Sequence, residues 1–247
     1  MAVLRDLPPG FEALTEGRLQ MAVRSDVRDR LVPLLRSWST GALPRGRPLA
    51  GGRGGVAAYD LPDDLGVVLR PCRRGGWVSR FNRELYFGRR PRPFREIVAA
   101  ENLRRLGVPT VEVLAAAVSW VVPGCYRGAV ATREVRGALN LWQALQRAEA
   151  PQRGGLCAAA AAATRRLHDA GSVHPDLNLQ NYLIQRDGTV VRALIIDCDR
   201  VRFTSVTPRD RHAAFARLCR SVRRLDPTAT VVTLACVEAL RLIESPD

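Results

Sequence analysis

Residues 182–197 constrain the fold of this chain more than any other stretch, because they pattern as two short strands joined by a tight turn. The sequence YLIQRDGTVVRALIID carries an Asp-Gly pair between two runs of apolar residues, and Asp-Gly is a strong signal for a hairpin turn. Polar side chains stand at both ends, Asn181 before the first strand and Asp197 at the end of the second. A hairpin returns the chain to its starting point, so we expect Asn181 and Asp197 to lie close together.

A further carboxylate lies just before this hairpin. Residues 174–181 read HPDLNLQN and place Asp176 five residues ahead of Asn181. Transfer of a phosphoryl group needs a carboxylate that orients the accepting hydroxyl and takes its proton, together with oxygen ligands that hold Mg²⁺ on the phosphates of ATP. We therefore predict that Asp176 is the catalytic base and that Asn181 and Asp197 are metal ligands.

Asp199 follows two residues later and is predicted to assist the metal; alternatively, it caps a turn or pairs with Arg200. A purely structural interpretation of the larger set is also open, in which Asp176 and Asp197 cap turns and Asn181 only begins a strand. A buried apolar strand that ends in two acids is costly unless those acids bind something, and this favours the functional interpretation.

The order of predicted elements indicates the fold class, because strands come first and helices dominate afterwards. We predict a hairpin over 56–72, a helix over 95–107, further strands up to residue 135, and then mainly helices around the hairpin at 182–197. This order is typical of an α+β protein with a small β-rich lobe and a larger helical lobe. The predicted division is an N-terminal extension (1–48), an N-lobe (49–135) and a C-lobe (136–247) with a short activation segment.

The charge of the chain favours polyanionic partners. The formal net charge is +14, and all 38 basic residues are Arg. Such a field attracts nucleic acid, phospholipid headgroups or phosphorylated glycolipids, although codon bias and a solvated surface would give the same composition. Because Lys is absent, any phosphate site must use Arg or backbone N–H groups. A local cluster is predicted near the upper edge of the active-site cleft, where it either contacts acidic lipid groups or is solvated: Arg73, Arg74, Arg80, Arg83, Arg89, Arg90 and Arg92.

Two classes of protein are disfavoured by the sequence. The six Cys residues are dispersed and the three His residues stand far apart, so a zinc site is not expected. The N-terminus lacks the apolar run of a signal peptide, and no apolar stretch approaches the 18 or so residues that a membrane span requires. We therefore expect a cytoplasmic protein.

The segments SVHPDLNLQNYLI and LIIDCDRVRF resemble the signature of the 3-deoxy-D-manno-octulosonic acid (Kdo) kinases and the related lipopolysaccharide-core kinases. That family has a protein-kinase-like fold, with H-x-D-L-N-x-x-N in the catalytic loop and D-F-D-R near the metal. The resemblance covers roughly residues 50–225 and includes VVLRPCRRGGW and FREIVAAENLRRLGVPTVEV. The chain departs from the family pattern at Pro175, Cys198 and Val201, and none of these changes removes a catalytic oxygen.

The resemblance implies further site residues for ATP. It places Arg70 where protein kinases have the phosphate-binding Lys, with Glu96 as its helix partner; Glu101 is the competitor, and two solvated surface charges are the alternative. The hinge that pairs with adenine would include Glu134 and Val135. The glycine-rich run before the first predicted hairpin would let backbone N–H groups approach phosphates at Gly52 and Gly54, unless it is only a linker.

The function implied by the resemblance is ATP-dependent phosphorylation of a sugar hydroxyl, the Kdo 4-hydroxyl, on a lipid A or lipopolysaccharide inner-core precursor. The protein would then contact the anionic inner face of the bacterial inner membrane peripherally. A kinase of the same fold that acts on core heptose, a small metabolite or a protein is the first alternative. A basic, non-catalytic module that binds membrane or nucleic acid is the second; it would predict loss of the catalytic residues, which are all present, and nucleic acid is not expected as a partner.

Overall fold

A computed structural model describes residues 7–49, 56–72 and 84–245. The chain divides into two compact units. The first unit comprises Met1–Glu101 and Glu112–Glu134, and the second comprises Asn102–Val111 and Val135–Asp247.

The first unit is built on an antiparallel sheet with the strand order β1-β2-β7-β8-β5-β4-β3, and β6 also pairs with β8. Its strands are β1 (Phe11–Glu16), β2 (Leu19–Arg24), β3 (Arg47–Pro48), β4 (Ala57–Leu61), β5 (Leu65–Pro71), β6 (Tyr86–Phe87), β7 (Val113–Val122) and β8 (Cys125–Arg133). Two helices accompany this sheet, α1 (Arg28–Thr40) and α2 (Arg92–Arg105), and the last turn of α2 belongs to the second unit.

The core of the first unit forms where one face of α1 meets the sheet. Leu31 and Leu35 of α1 are fully buried, and they share a cluster with Met21, Val67 and Leu114. Each fully buried side chain of this size contributes roughly 1.5–3 kcal/mol. Helix α1 ends at Gly41, whose φ of 78° is a left-handed conformation that glycine adopts without strain.

The position of α2 depends on a close approach to the sheet. A Cβ atom at Gly128 of β8 would come within 2.5 Å of the Pro93 ring, so only glycine allows this contact. Phe94 and Ile97 of the same helix are buried. The helix is therefore held against the sheet by its first two turns.

The hairpin β1–β2 was not among the predicted strands, because residues 1–48 were predicted only as an N-terminal extension. Strand β2 pairs with β7 over Leu19–Val23, so these residues belong to the same sheet as the predicted N-lobe strands. The predicted boundary near residue 48 therefore does not coincide with a boundary between the two units.

The second unit is mainly helical and contains two small sheets. Its elements are β9 (Leu139–Asn140), α3 (Leu141–Arg147), α4 (Ala150–Asp169), β10 (Ser172–Val173), β11 (Tyr182–Asp187), β12 (Val190–Ile195), β13 (Arg202–Phe203), α5 (Pro208–Leu225) and α6 (Leu234–Arg241). The sheet order is β12-β11-β9, and β10 pairs with β13 separately.

Local sequence signals explain where the helices of the second unit begin and end. Asn140 and Gln143 form a capping box at the start of α3, and Thr207 and Asp210 do the same for α5. The break between α5 and α6 is organised by Asp226, whose carboxylate accepts backbone N–H groups of the following loop at 2.7–3.0 Å.

The alanine-rich sequence of α4 matches its buried position. Ala160, Ala161 and Ala163 are almost completely buried, and small side chains let neighbouring elements approach the helix closely. Thr164 in the same run bonds the hydroxyl of the fully buried Tyr182 at 2.7 Å. The helix is therefore a packed element of the core, as predicted.

The structure confirms the predicted fold class and most of the predicted elements. The hairpins β4–β5 and β11–β12 are antiparallel, the helices α2 to α6 occupy predicted helical segments, and β7 and β8 follow α2 as expected. Within the described residues, no helix is both long enough and apolar enough to cross a membrane.

Candidate active site

The predicted catalytic loop lies in the second unit, between two antiparallel ladders. Strand β10 leads into the loop at His174 and pairs with β13, with Val173 opposite Arg202. Strand β11 leaves the loop after Asn181 and pairs with β12, with Tyr182 opposite Ile195. Because β12 and β13 flank residues 196–201, the two ladders bring this segment beside the loop.

His174 fastens the loop to the segment after β12. Its Nε2 lies 3.4 Å from the carbonyl oxygen of Ile196, and its Nδ1 accepts the backbone N–H of Asp176 at 3.3 Å. Burial lowers the pKa of His174. A neutral imidazole with its proton on Nε2 satisfies both contacts, so His174 acts as a neutral clamp that fixes the backbone of Asp176.

Asn178 ties the two polar residues of the loop together. Its amide nitrogen donates to the carbonyl oxygen of Asp176 at 2.9 Å and to Oδ1 of Asn181 at 2.6 Å, and its Oδ1 accepts the N–H of Gln180 at 2.9 Å. No role for Asn178 was predicted from the sequence, although the family motif H-x-D-L-N-x-x-N contains it. Asn181 keeps a second lone pair on Oδ1 that can serve a metal ion.

Asp197 lies next to Asn181, as the predicted hairpin requires. The N–H of Ile196, immediately before Asp197, donates to the carbonyl oxygen of Asn181 at 2.9 Å. Asp197 has φ 65° and ψ 47°, a left-handed conformation that non-glycine residues seldom adopt and that concentrates at functional sites. The short 3₁₀ turn Cys198–Arg200 follows and buries Asp199.

Asp176 itself presents its carboxylate to solvent and pairs with an arginine. Nη1 of Arg200 donates to Oδ2 of Asp176 at 2.7 Å, and the two side chains are 61% and 51% exposed. The sequence alone also allows Asp199 as a partner of Arg200. An ion pair this exposed contributes little to stability and exchanges readily for another partner.

Arg70 and Glu96 form an ion pair inside the first unit. Nη2 of Arg70, on β5, donates to Oε1 of Glu96 on α2, and the side chain of Glu96 is only 4% exposed. The pKa of the Arg24 guanidinium is raised chiefly by its hydrogen bond with Asp26, and the competitor Glu101 adds a smaller charge effect there. The helix partner of Arg70 is therefore the one that the family resemblance indicated.

The predicted hinge residues are connected mainly through their backbones. The N–H of Glu134 donates to the carbonyl oxygen of Gly66 at 2.9 Å, and the carbonyl oxygen of Val135 accepts the N–H of Ala138 at 3.1 Å. The carboxylate of Glu134, 3% exposed, pairs with Arg47 at 2.8 Å. These contacts use the N–H of Glu134 and the carbonyl of Val135.

Part of the predicted site lies outside the described residues. Gly52 and Gly54 fall there, as do four members of the basic cluster, Arg73, Arg74, Arg80 and Arg83. Of the remaining members, Arg89 and Arg90 are exposed, and Arg92 begins α2 with its N–H donating to the Tyr126 hydroxyl.

The donor set around Asn181 suits a hard cation. An amide oxygen and carboxylates are the ligands that Mg²⁺ prefers. Within residues 7–49, 56–72 and 84–245, no three His, Cys, Asp or Glu side chains gather in a group that could hold a metal ion. The predicted set, with Asn181, Asp197 and Asp199, contains only two residues of those types, so water or nucleotide oxygens would have to complete the coordination.

The sheet-bearing first unit, the mainly helical second unit and the loop with Asp176 together define a kinase of the protein-kinase-like fold. The comparison with family models agrees: residues 50–237 match the model of the Lipopolysaccharide kinase (Kdo/WaaP) family. The chain belongs to that family.

Two curated relatives illustrate the similarity. The chain is 32% identical over 193 residues to a 3-deoxy-D-manno-octulosonic acid kinase of Xanthomonas oryzae pv. oryzae (strain PXO99A), covering 77% of this chain and 73% of that protein. It is 30% identical over 191 residues to a protein of the same name from Xylella fastidiosa (strain M23), covering 73% and 71%.

A solved structure shares the fold at lower sequence similarity. It is described as WaaP in complex with acyl carrier protein, and it matches with a TM-score of 0.53 at 17% identity, over 93% of this chain and 88% of that one. This likeness supports the fold alone.

Proposed function

We propose that this protein transfers the γ-phosphate of ATP to a hydroxyl of Kdo, specifically the 4-hydroxyl, on a lipid A or lipopolysaccharide inner-core precursor. One observation carries the proposal. The loop 174–181 fixes the backbone of Asp176 from both sides while its carboxylate stays exposed, in a chain 32% identical to proteins named Kdo kinases.

Asp176 acts on the accepting hydroxyl. Its carboxylate orients the hydroxyl and takes the proton as the oxygen bonds to the γ-phosphorus and the bond to the leaving ADP oxygen breaks. The clamp from His174 and the bonds from Asn178 keep the carboxylate in place without using its oxygens. Arg200, which pairs with Asp176, exchanges this partner when the acceptor binds.

Arg70 and the backbone of the hinge bind the nucleotide in this proposal. A guanidinium always carries its charge and can contact two phosphate oxygens at once, so it substitutes adequately for the usual lysine. Glu96 holds Arg70 in a fixed orientation from a buried position. The carbonyl of Glu134 and the N–H of Val135 pair with adenine, and Gly52 and Gly54 donate backbone N–H groups to phosphates.

Asn181, Asp197 and Asp199 would hold Mg²⁺, which neutralises phosphate charge when it is bound. The left-handed backbone conformation of Asp197 would set the direction of its carboxylate toward the ion. Asp197→Asn should shift the Mg²⁺ requirement of nucleotide binding to higher concentration, because a neutral amide is a weaker ligand for a hard cation. An unchanged Mg²⁺ titration would reject the metal role of this residue.

The decisive experiment is transfer of labelled phosphate from [γ-³²P]ATP to a Kdo-bearing lipid A precursor. Heptose-bearing core, a small sugar phosphate and a generic protein serve as comparison acceptors, since a kinase of the same fold could use any of them. We expect label in the Kdo-bearing lipid alone. Labelling of another acceptor in preference would replace the proposed substrate while retaining the kinase.

The net charge of +14 supports peripheral contact with the anionic inner face of the inner membrane, where such a lipid acceptor would be met. We expect the protein to sediment with vesicles that contain anionic lipid and to be released by salt. Binding that ignores salt or lipid charge would contradict the electrostatic contact.

A further inference from the structure

Three arginines of the second unit lie on segments that flank the loop 174–181, and one of them, Arg200, pairs with Asp176. Arg202 lies on β13 directly opposite Val173, the residue that precedes His174. Arg217 lies on α5, one helical turn before Ser221. Because the hydroxyl of Ser221 accepts the N–H of Leu179 in the catalytic loop at 3.3 Å, α5 presents this face to the loop.

Arg217 carries an unpaired donor in this position. Its Nε is buried and lacks a hydrogen-bond partner among the described residues. Burial lowers the pKa of Arg217, the charges of Arg220 and Arg202 act in the same direction, and the carboxylates of Asp176 and Asp210 act against them. Three arginines therefore share two carboxylates, and Asp210 is already bonded by Thr207 at the start of α5. An additional anion would relieve the imbalance.

The carboxylate that pairs with this cluster has a second role in the proposed reaction. Asp176 is the carboxylate that Arg200 contacts directly. If Asp176 must receive a proton from the acceptor, it cannot remain permanently paired with arginines. An oxyanion on the acceptor would take over these contacts and leave Asp176 facing the hydroxyl.

We propose that Arg200, Arg202 and Arg217 form the binding site for an oxyanion of the acceptor, beside the hydroxyl that Asp176 deprotonates. This inference rests on the proposed function, because it deepens the description of the same site. Relatives of this chain are named for a sugar acid, and in such an acid the carboxylate and the hydroxyls belong to one small molecule. Holding the carboxylate therefore fixes which hydroxyl reaches the base. A phosphate group of the lipid offers the same chemistry and is the competing source.

A binding experiment on the full chain separates these sources without requiring turnover. Free Kdo, its methyl ester and inorganic phosphate are titrated into the wild-type protein by calorimetry. We expect Kdo to bind at least about tenfold more tightly than the ester, as loss of a charge-assisted hydrogen bond implies. Preference for inorganic phosphate over Kdo would assign the cluster to a lipid phosphate. Equal binding of the acid and the ester, with no binding of phosphate, would overturn the proposal.

Variants test whether the arginines are responsible. Arg217→Gln and Arg202→Gln should abolish the preference for the acid and raise KM for the Kdo-bearing acceptor about tenfold or more, with KM for ATP unchanged. Arg223→Gln is the matched control, since it removes one exposed arginine from the same helix and should change neither quantity. Arg202 is exposed, so its variant reports on the site even if Arg217→Gln fails to fold.

The outcomes distinguish this inference from the proposed function. If the wild-type protein prefers Kdo over its ester but phosphorylates no Kdo-bearing lipid, the proposed reaction fails and the oxyanion site stands. If it phosphorylates the lipid while the variants keep the wild-type KM, the reaction stands and the oxyanion site is wrong. A rise in KM for ATP alone would assign the cluster to the nucleotide and would also overturn the inference.

Discussion

The two units of this kinase hold the side chains of the proposed site by different means. In the first unit, Arg70 stands on a regular strand and Glu96 on a regular helix, and their side chains pair directly. In the second unit, Asp176 lies on irregular backbone that hydrogen bonds from His174 and Asn178 fix in place. The first arrangement therefore depends on charge, whereas the second depends on hydrogen-bond geometry.

The largest effect is expected at the catalytic loop. Asp176→Asn keeps the shape of the side chain but cannot accept the proton, so turnover should fall about 10²–10⁴-fold while affinity for a non-hydrolysable ATP analogue is retained. Steady-state kinetics and a nucleotide titration measure the two quantities. Asp187→Asn, at the exposed turn of the same unit, is the control and should keep full activity. Normal turnover of the Asp176 variant would refute the assignment of the base.

The ion pair between Arg70 and Glu96 can be tested by removing the charge of Arg70. Arg70→Gln leaves the buried Glu96 carboxylate without its guanidinium and should reduce the free energy of unfolding by about 2–3 kcal/mol. Urea denaturation measures this loss, and a nucleotide titration should show weaker ATP binding as well. The double variant Arg70→Met with Glu96→Leu should recover most of the stability without recovering ATP binding. A fully stable Arg70→Gln protein would show that the pair does not hold this unit together.

The second unit should also be the more sensitive to acid, because it buries neutral histidines. Burial, reinforced by Arg211, lowers the pKa of His168 from 6.5 to about 4, and both ring nitrogens lack hydrogen-bond partners in the described part of the chain. Between about pH 4 and pH 6.5, the unfolded state binds more protons at this residue than the folded state does. The free energy of unfolding therefore falls as the pH falls through this range. Near pH 5 the loss relative to pH 7 amounts to about 2 kcal/mol from this residue.

The variant His168→Leu should remove that contribution. The test compares urea denaturation at pH 7 and pH 5 for the wild type, for His168→Leu and for His212→Leu, whose imidazole is exposed. Only His168→Leu should reduce the difference between the free energies of unfolding measured at pH 7 and at pH 5. An unchanged difference would mean that His168 is not protonated on unfolding as argued.

The smallest effect is expected from the side chain that organises the loop. Asn178→Ala removes two donated hydrogen bonds and one accepted bond, and activity should fall about tenfold. Asn178→Asp keeps the accepting oxygen but loses both donations. If activity depends on the two donated hydrogen bonds rather than on the bond accepted from the N–H of Gln180, the Asp variant should lose as much activity as the Ala variant. Retained activity in the Asp variant would assign Asn178 a purely capping role.

The sequence predicted those parts of the fold whose patterns are local. The Asp-Gly turn and the alternating residues of 182–197 identified the hairpin β11–β12, and this hairpin places Asp197 beside Asn181. The hairpin β1–β2 was missed because half of the residues of β1 are polar and both strands have only six residues. What makes them strands is the pairing of β2 with β7, a contact between residues distant in sequence.

In the candidate site, too, contacts between residues distant in sequence were not predicted. Motif spacing predicts the carboxylates and the amide as site residues, because phosphoryl transfer restricts the residue types that can serve. The contact between Asp176 and Arg200 could not be read from spacing, since it depends on how β10 and β13 pair. The approach of α5 to the loop through Ser221 is likewise a consequence of tertiary packing.

The presence of Arg70 in a sequence without lysine has a practical consequence for chemical proteomics. Reagents that report kinase occupancy by acylating the conserved active-site amine have no target in this protein, because the whole chain lacks lysine. Such profiling would therefore score the enzyme as absent even in cells where it is abundant and active. Guanidine-directed labelling would be needed to follow it.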